Sequence, residues 1–132
     1  MTNILFEVPS WNQIYKMLLS QAEKIRNNFQ PAVIVGVSRG GWIPARVLSD
    51  LLENPTLASV QVETSEANKA KSLPIITQRV SIPVTKKEVL IVDDVADSGK
   101  SLKVVKEHIQ QQDAEVAKVA TLYYKPWSTV KP

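Results

Sequence analysis

Between Val89 and Leu102 the chain puts three carboxylates, two hydroxyls and a lysine at the exit of an apolar run: Val89-Leu90-Ile91-Val92-Asp93-Asp94-Val95-Ala96-Asp97-Ser98-Gly99-Lys100-Ser101-Leu102. A buried strand that runs into acids delivers them to its C-terminal edge. A helix that starts a few residues later brings unsatisfied N–H groups to the same place. Adjacent carboxylates repel each other unless a cation or hydroxyl donors stand between them. Neighbouring residues leaving a strand also point in different directions. One acid can then reach a ribose diol while the other faces the hydration shell of Mg2+, which takes few carboxylates and keeps several waters. A lone Asp-Asp pair serves as readily as a helix cap in a solvated turn. With the strand before it and Asp-Ser-Gly-Lys-Ser after it, this pair points to an enzyme acting on a phosphorylated sugar.

Ser98-Gly99-Lys100-Ser101 offers backbone N–H groups, two hydroxyls and one positive charge where a helix begins, which favours an anion. Gly99 lets the backbone approach a phosphate closely. Gly-Lys-Ser also raises the Walker loop of nucleotide triphosphatases, but that pattern needs a glycine where this chain has Asp94. A second loop, Gly36-Val37-Ser38-Arg39-Gly40-Gly41, sets a guanidinium among exposed N–H groups and could embrace a diphosphate. Taken alone it reads as a structural turn. Trp11, Trp42 and His108 fall on helical faces and read as core or surface residues.

The elements that must position these loops are legible from spacing. Ser10 and Gln13 form a capping-box signature, and Trp11, Ile14, Tyr15, Leu18, Ala22, Ile25 and Phe29 recur at helical spacing over about 10–29. Ala32–Val35 is a continuous apolar run suited to a strand buried on both faces. A helix follows over about 42–53, with Pro44 tolerated in its first turn. Leu57–Val62 reads as a strand, and Glu63–Pro74 as a long polar loop of the kind that serves as a lid. Ile75–Ile82 suits an edge strand, 88–92 the strand before the acids, about 99–112 a helix, and Glu115–Tyr124 the last strand. Alternating strands and helices imply an α/β fold, three layers α/β/α around a mainly parallel twisted sheet, in a single domain over 1–132. Both chemically rich loops follow strands, so they could meet at one edge of the sheet.

A net charge of +3 without a Lys/Arg run or basic-aromatic stripe argues against nucleic acid as partner. Zero cysteines and one histidine exclude a disulfide framework and a Cys- or His-based metal cluster. No apolar run approaches membrane-spanning length, and no signal pattern opens the chain. The expectation is a soluble cytoplasmic protein that binds an anionic small molecule.

Together these residues resemble the type I phosphoribosyltransferase family. The run 89–102 is similar to its signature for 5-phosphoribosyl 1-diphosphate (PRPP), and Val37-Ser38-Arg39-Gly40-Gly41 to its diphosphate loop. Leu122-Tyr123-Tyr124-Lys125-Pro126-Trp127 resembles the strand end that contacts the base in the 6-oxopurine branch, and the resemblance covers about 32–127. It implies that Asp93 and Asp94 hold the ribose hydroxyls, directly and through Mg2+. Asp97 would lie near the purine N7 and help move its proton. Residues 97–101 (Asp97, Ser98, Gly99, Lys100, Ser101) would cradle the 5′-phosphate. Ser38, Arg39 and Gly40 would bind the diphosphate, and Lys125 would donate to the exocyclic oxygen of the base. Residues 63–74 would be the lid. The family further implies a homodimer.

The sequence ends at Pro132, soon after Lys125, so the family's segment that stacks on the base is expected to be missing. Three functions stay open at this point. The first is Mg2+-dependent transfer of the phosphoribosyl group from PRPP to hypoxanthine, guanine or xanthine in purine salvage. The second is a PRPP- or nucleotide-binding regulator without turnover, and the third is transfer to another base.

Overall fold

Ser10 Oγ accepts from the Gln13 N–H at 3.2 Å, and Gln13 Oε1 accepts from the Ser10 N–H at 2.8 Å. The capping box is thus made, and it opens helix α1 over Trp11–Asn28. A computed structural model describes residues 10–38, 40–54, 56–64, 74–96 and 100–124. After α1 come β1 (Val33–Ser38), α2 (Trp42–Leu51), β2 (Leu57–Thr64), β3 (Pro74–Gln78), β4 (Glu88–Ala96), α3 (Lys100–Gln111) and β5 (Val116–Tyr124).

The strands form one sheet in the order β3-β2-β1-β4-β5. β1 runs parallel to β2 and β4, and β4 parallel to β5, while β3 pairs antiparallel with β2 at the edge. Side chains alternate across the strands, and each face has its own core. On one face Val33, Val35, Val60, Val89 and Ile91 meet Leu102, Val105 and Ile109 of α3. On the other, Ile34, Leu90, Val92 and Ala120 meet Leu18 and Ala22 of α1 and Ala45 and Leu48 of α2. The three-layer α/β/α arrangement with a mainly parallel sheet is therefore present, and its central strands carry continuous apolar runs, 33–35 and 89–92, where both faces are covered.

Several strand boundaries differ from the sequence reading. β1 continues through Gly36, Val37 and Ser38, which read as loop, because Gly36 pairs with Ser59 on one side and Val92 on the other. A side chain at Gly36 would meet Ala45 Cβ at 3.0 Å and the Trp42 ring at 3.3 Å, so the glycine admits α2 to the sheet. β4 continues past its acids to Ala96, held by pairing with β5. β3 stops at Gln78, four residues before the expected Ile82. Of the expected lid, Glu63 and Thr64 close β2 and Pro74 opens β3; residues 65–73 lie outside the described residues. No helix among the described residues is long and apolar enough to cross a membrane.

Glu53, Lys86 and Asp113 have positive φ, between 55° and 63°. Each sits in a turn that leads into β2, β4 or β5, at the edge where those parallel strands begin. Core and edge make a quantitative contrast. Ile91→Ala, in the fully buried centre of β4, should cost about 2–5 kcal/mol. Ile75→Ala, 57% exposed on β3, should stay within about 0.5 kcal/mol. Urea unfolding of the two variants checks both values.

Candidate active site

β1 and β4 pair only as far as Gly36↔Val92. β4 runs on beside β5 as far as Ala96↔Tyr124. Past Val92, then, one flank of β4 is left without a strand partner, and the chain leaving β1 turns into α2 beside it. β2 lies to one side of β1 and β4 to the other. α2, which follows β1, covers one face, and α3, which follows β4, covers the other. This is the topological switch point of an open α/β sheet, where a crevice forms outside the carboxyl ends of the strands.

Glycine makes the crossing possible. The Gly41 N–H donates to the Val37 carbonyl at 2.8 Å, and Gly41 is the N-cap of α2 without a capping side chain. A Cβ on Gly41 would overlap the Val92 carbonyl oxygen and stand 2.8 Å from Asp93 Cα. A Cβ on Gly40 would fall inside the Asp94 carboxylate. The turn after β1 thus lies directly on the acids of β4. The N–H groups of Trp42 and Ile43 begin α2 at the same place, with no capping side chain on them.

Asp93 and Asp94 are both half-buried. The Asp94 N–H donates to Asp93 Oδ1 at 2.8 Å. The Asp93 pKa is pushed up to about 7, by burial first, then by the hydrogen bond between the two carboxyl groups and by the Asp94 charge, with the backbone bond opposing. The sequence expectation that the two side chains diverge is corrected here, since the carboxyl groups touch. The pleat does send them toward opposite faces, Asp93 with the face of Val89 and Ile91, Asp94 with that of Leu90 and Val92. At the end of the β1 pairing their tips still converge. Two carboxyl groups so placed fit a cation that takes few carboxylates and brings its own water.

Residues 9–132 match the family model of the phosphoribosyl transferase domain. The chain belongs to the phosphoribosyltransferase family. It is 30% identical to the hypoxanthine-guanine phosphoribosyltransferase of Schizosaccharomyces pombe over 83% of this chain and 62% of that protein. With the xanthine-guanine phosphoribosyltransferase of Cereibacter sphaeroides it shares 29% identity over 89% of this chain and 70% of the relative. Among solved structures it resembles the purine phosphoribosyltransferase from Pyrococcus horikoshii, with a TM-score of 0.85 and 39% identity, covering 94% of this chain and 81% of that one. The chain thus spans less than two-thirds of the length of the fission-yeast relative. The family is a family of enzymes, of the type I kind that the motifs resemble.

Against the phosphoribosyltransferase pattern, the residues singled out in the sequence divide as follows. Gly40, Asp93 and Asp94 are brought together. Ser38 ends β1, and Lys100 and Ser101 open α3. These three stand at the same sheet edge as the acids. Arg39, Asp97, Ser98, Gly99 and Lys125 lie outside the described residues. One hydroxyl that the sequence reading passed over lies close by. Thr121 is in register with Asp93 on β5, 5% exposed, and its Oγ1 has no hydrogen-bond partner. Only strand register could have revealed it. A depression of about 1020 Å3 lies at the other end of the sheet, lined by Arg26, Phe29, Leu51 and Asn54. It holds none of the acids or glycines, so the chemistry places the site at the switch point.

Two outcomes follow from this geometry. Gly41→Ala should destabilise the protein by about 2 kcal/mol or more, because backbone on both sides must move; urea unfolding measures it. The Asp93 proton stabilises the fold, since its folded pKa near 7 exceeds the unfolded value of 3.8. That stabilisation is complete below pH 3.8 and is lost as pH rises through 7. Asp93→Asn should therefore melt about 3 °C or more above the parent at alkaline pH in metal-free buffer. At acid pH the gap should close, which thermal scans across pH would reveal.

Proposed function

We propose that this chain transfers the 5-phosphoribosyl group of PRPP to a 6-oxopurine base, releasing diphosphate and a nucleoside 5′-monophosphate. The observation that carries this reading is the contact of Gly40 with the Asp94 carboxylate, which joins an anion-binding turn to an acid pair at the switch point. The printed names of the relatives, purine, hypoxanthine-guanine and xanthine-guanine phosphoribosyltransferases, support the substrate class. The alternatives, a regulator that binds PRPP without turnover and an enzyme for another base, are outcomes of the test below.

In this mechanism Asp93 and Asp94 bind the ribose hydroxyls and hold Mg2+. When bound, Mg2+ supplies positive charge that offsets the departing diphosphate. Ser38, Arg39 and Gly40, with the first N–H groups of α2, bind the diphosphate and stabilise the charge it gains as it leaves. Asp97, Ser98, Gly99, Lys100 and Ser101 cradle the 5′-phosphate with backbone N–H groups, two hydroxyls and the start of α3. Displacement at the anomeric carbon has oxocarbenium character, so water must be kept out, and the segment between β2 and β3 is proposed as the lid that does so. Asp97 moves the proton at the purine N7, and Lys125 donates to the exocyclic oxygen. The chain works as one domain over 1–132, in the cytoplasm, as a homodimer.

Turnover of PRPP with Mg2+ against hypoxanthine, guanine, xanthine, adenine, orotate and uracil tests the reading through diphosphate release. Transfer to an oxopurine is expected. Tight PRPP binding without transfer would make the chain a regulator, and activity with another base alone would discard the role of Lys125. Asp97→Asn should reduce transfer at least about tenfold while PRPP still binds. Arg39→Ala should weaken diphosphate binding, measured by calorimetry.

A further inference from the structure

His108 is the one histidine of the chain, and the chemistry above gives it no part. It stands in the third turn of α3 and is 8% exposed. It lines a cleft of about 360 Å3 together with Ile76, Arg79, Val104, Glu107 and Gln111. The Val80 N–H donates to its Nε2 at 3.2 Å. Val80 belongs to the connection from β3 to β4, and the next residue anchors that connection to β2. The Ser81 N–H donates to the Ser59 carbonyl at 3.0 Å, and Ser81 Oγ accepts from the Ser59 N–H at 2.9 Å.

Leu102, Val105 and Ile109 hold α3 to the sheet by apolar burial, which is not directional. A hydrogen bond is directional. The Val80–His108 bond ties the helix to a backbone segment that is itself fixed to β2. We propose that His108 is a positioning residue: its bond to the Val80 N–H fixes the rotation and height of α3 on the sheet, and with them the first turn, Lys100–Ser101, at the candidate site. The consequence for PRPP rests on the function proposed above.

The bond depends on the state of the ring. Nε2 accepts, so the neutral imidazole carries its proton on Nδ1. A second proton would set an N–H against the Val80 N–H. The charged groups around the ring are Arg79, from the β3–β4 connection, and Glu107, from α3 itself. β2, β4 and β5 contribute Val60, Val62, Val89, Ile91, Ala117 and Val119 to the core that α3 covers, all apolar. Burial, with the Arg79 charge, holds the His108 pKa below its ordinary 6.5. The unfolded chain therefore takes up this proton first. The stabilisation from neutral His108 is whole above pH 6.5 and fades as pH falls through the lower folded value.

Two variants separate the bond from the ring. Gln in His108→Gln can present an oxygen acceptor near the position of Nε2 and does not titrate. Leu in His108→Leu fills the space without an acceptor. Amide hydrogen exchange of Val80 and of 104–106, the first α3 amides bonded within the helix, corrected for intrinsic rate, is compared at about pH 7.5 and about pH 5.5, alongside PRPP affinity with Mg2+ by calorimetry. Asp93 is present in all three proteins, so comparison at matched pH cancels its titration. Protection at these amides should fall about tenfold in His108→Leu at both pH values, the worth of one buried hydrogen bond. In the parent it should fall only at the lower pH, and in His108→Gln at neither. PRPP affinity should follow protection. Unchanged protection in a folded His108→Leu protein overturns the proposal. Equal loss in both variants also overturns it, by assigning the effect to ring packing. If His108→Leu does not fold, the acid response of the parent against His108→Gln decides. If protection changes but PRPP affinity does not, the positioning role at the site is wrong. If the parent itself binds no PRPP, the proposed function fails, and the exchange data alone decide the role of His108.

Discussion

Contact between a backbone without side chains and the outer flank of β4 is what the arrangement turns on. Gly40 and Gly41 lie where any Cβ would enter the Asp94 carboxylate or the Val92 carbonyl. Because they carry none, the chain leaving β1 can cross directly over the acids and start a helix there. The sheet order follows the same logic. β4 lies beside β1 rather than beside β3, so the turn after one and the acids of the other share a crevice. Gly36 extends the theme one turn earlier by admitting Ala45 and Trp42 to the sheet surface. Three glycines within six residues thus bring the helix, the turn and the acids within reach of one small ligand.

The electrostatics express the same crowding. Two carboxyl groups in contact, half-buried and hydrogen-bonded to each other, hold a proton that ordinary aspartates release several pH units lower. A ligand that brings positive charge or hydroxyl donors relieves this repulsion. The pair therefore carries an electrostatic cost in the free chain that such a ligand would offset, and the cost sits at the switch point of the sheet.

How far the sequence revealed this depends on whether each cause is local. The capping box at Ser10 and Gln13, the apolar run into Asp93, and the glycine turn are signals within a few residues of one another, and all were legible. The three-layer fold followed from the alternation of periods. Gly36–Ser38 read as loop because glycine in a strand looks like a turn; its reason, α2 packing on the sheet, is tertiary. The continuation of β4 through Ala96 depends on β5, far along the chain. Convergence of the Asp93 and Asp94 tips was not legible, because a pleat alone predicts divergence. Thr121 and His108 acquire partners or neighbours only through register and helix packing, and the isolated His carried no signal of its own. Arg39, Asp97, Ser98, Gly99 and Lys125 rest on motif resemblance.

The length of β4 has a further effect. Glu88 begins the strand and Asp93 stands five residues on, about 17 Å away along an extended chain. Charges in the turn that precedes β4, Lys86 and Lys87, stand at least that far from the acid pair, and an interaction that weakens with distance leaves them little hold on it. Selection can rewrite that turn for solubility or for contacts with other molecules while the carboxylates keep their proton affinity. The sheet acts as an electrical spacer as well as a scaffold.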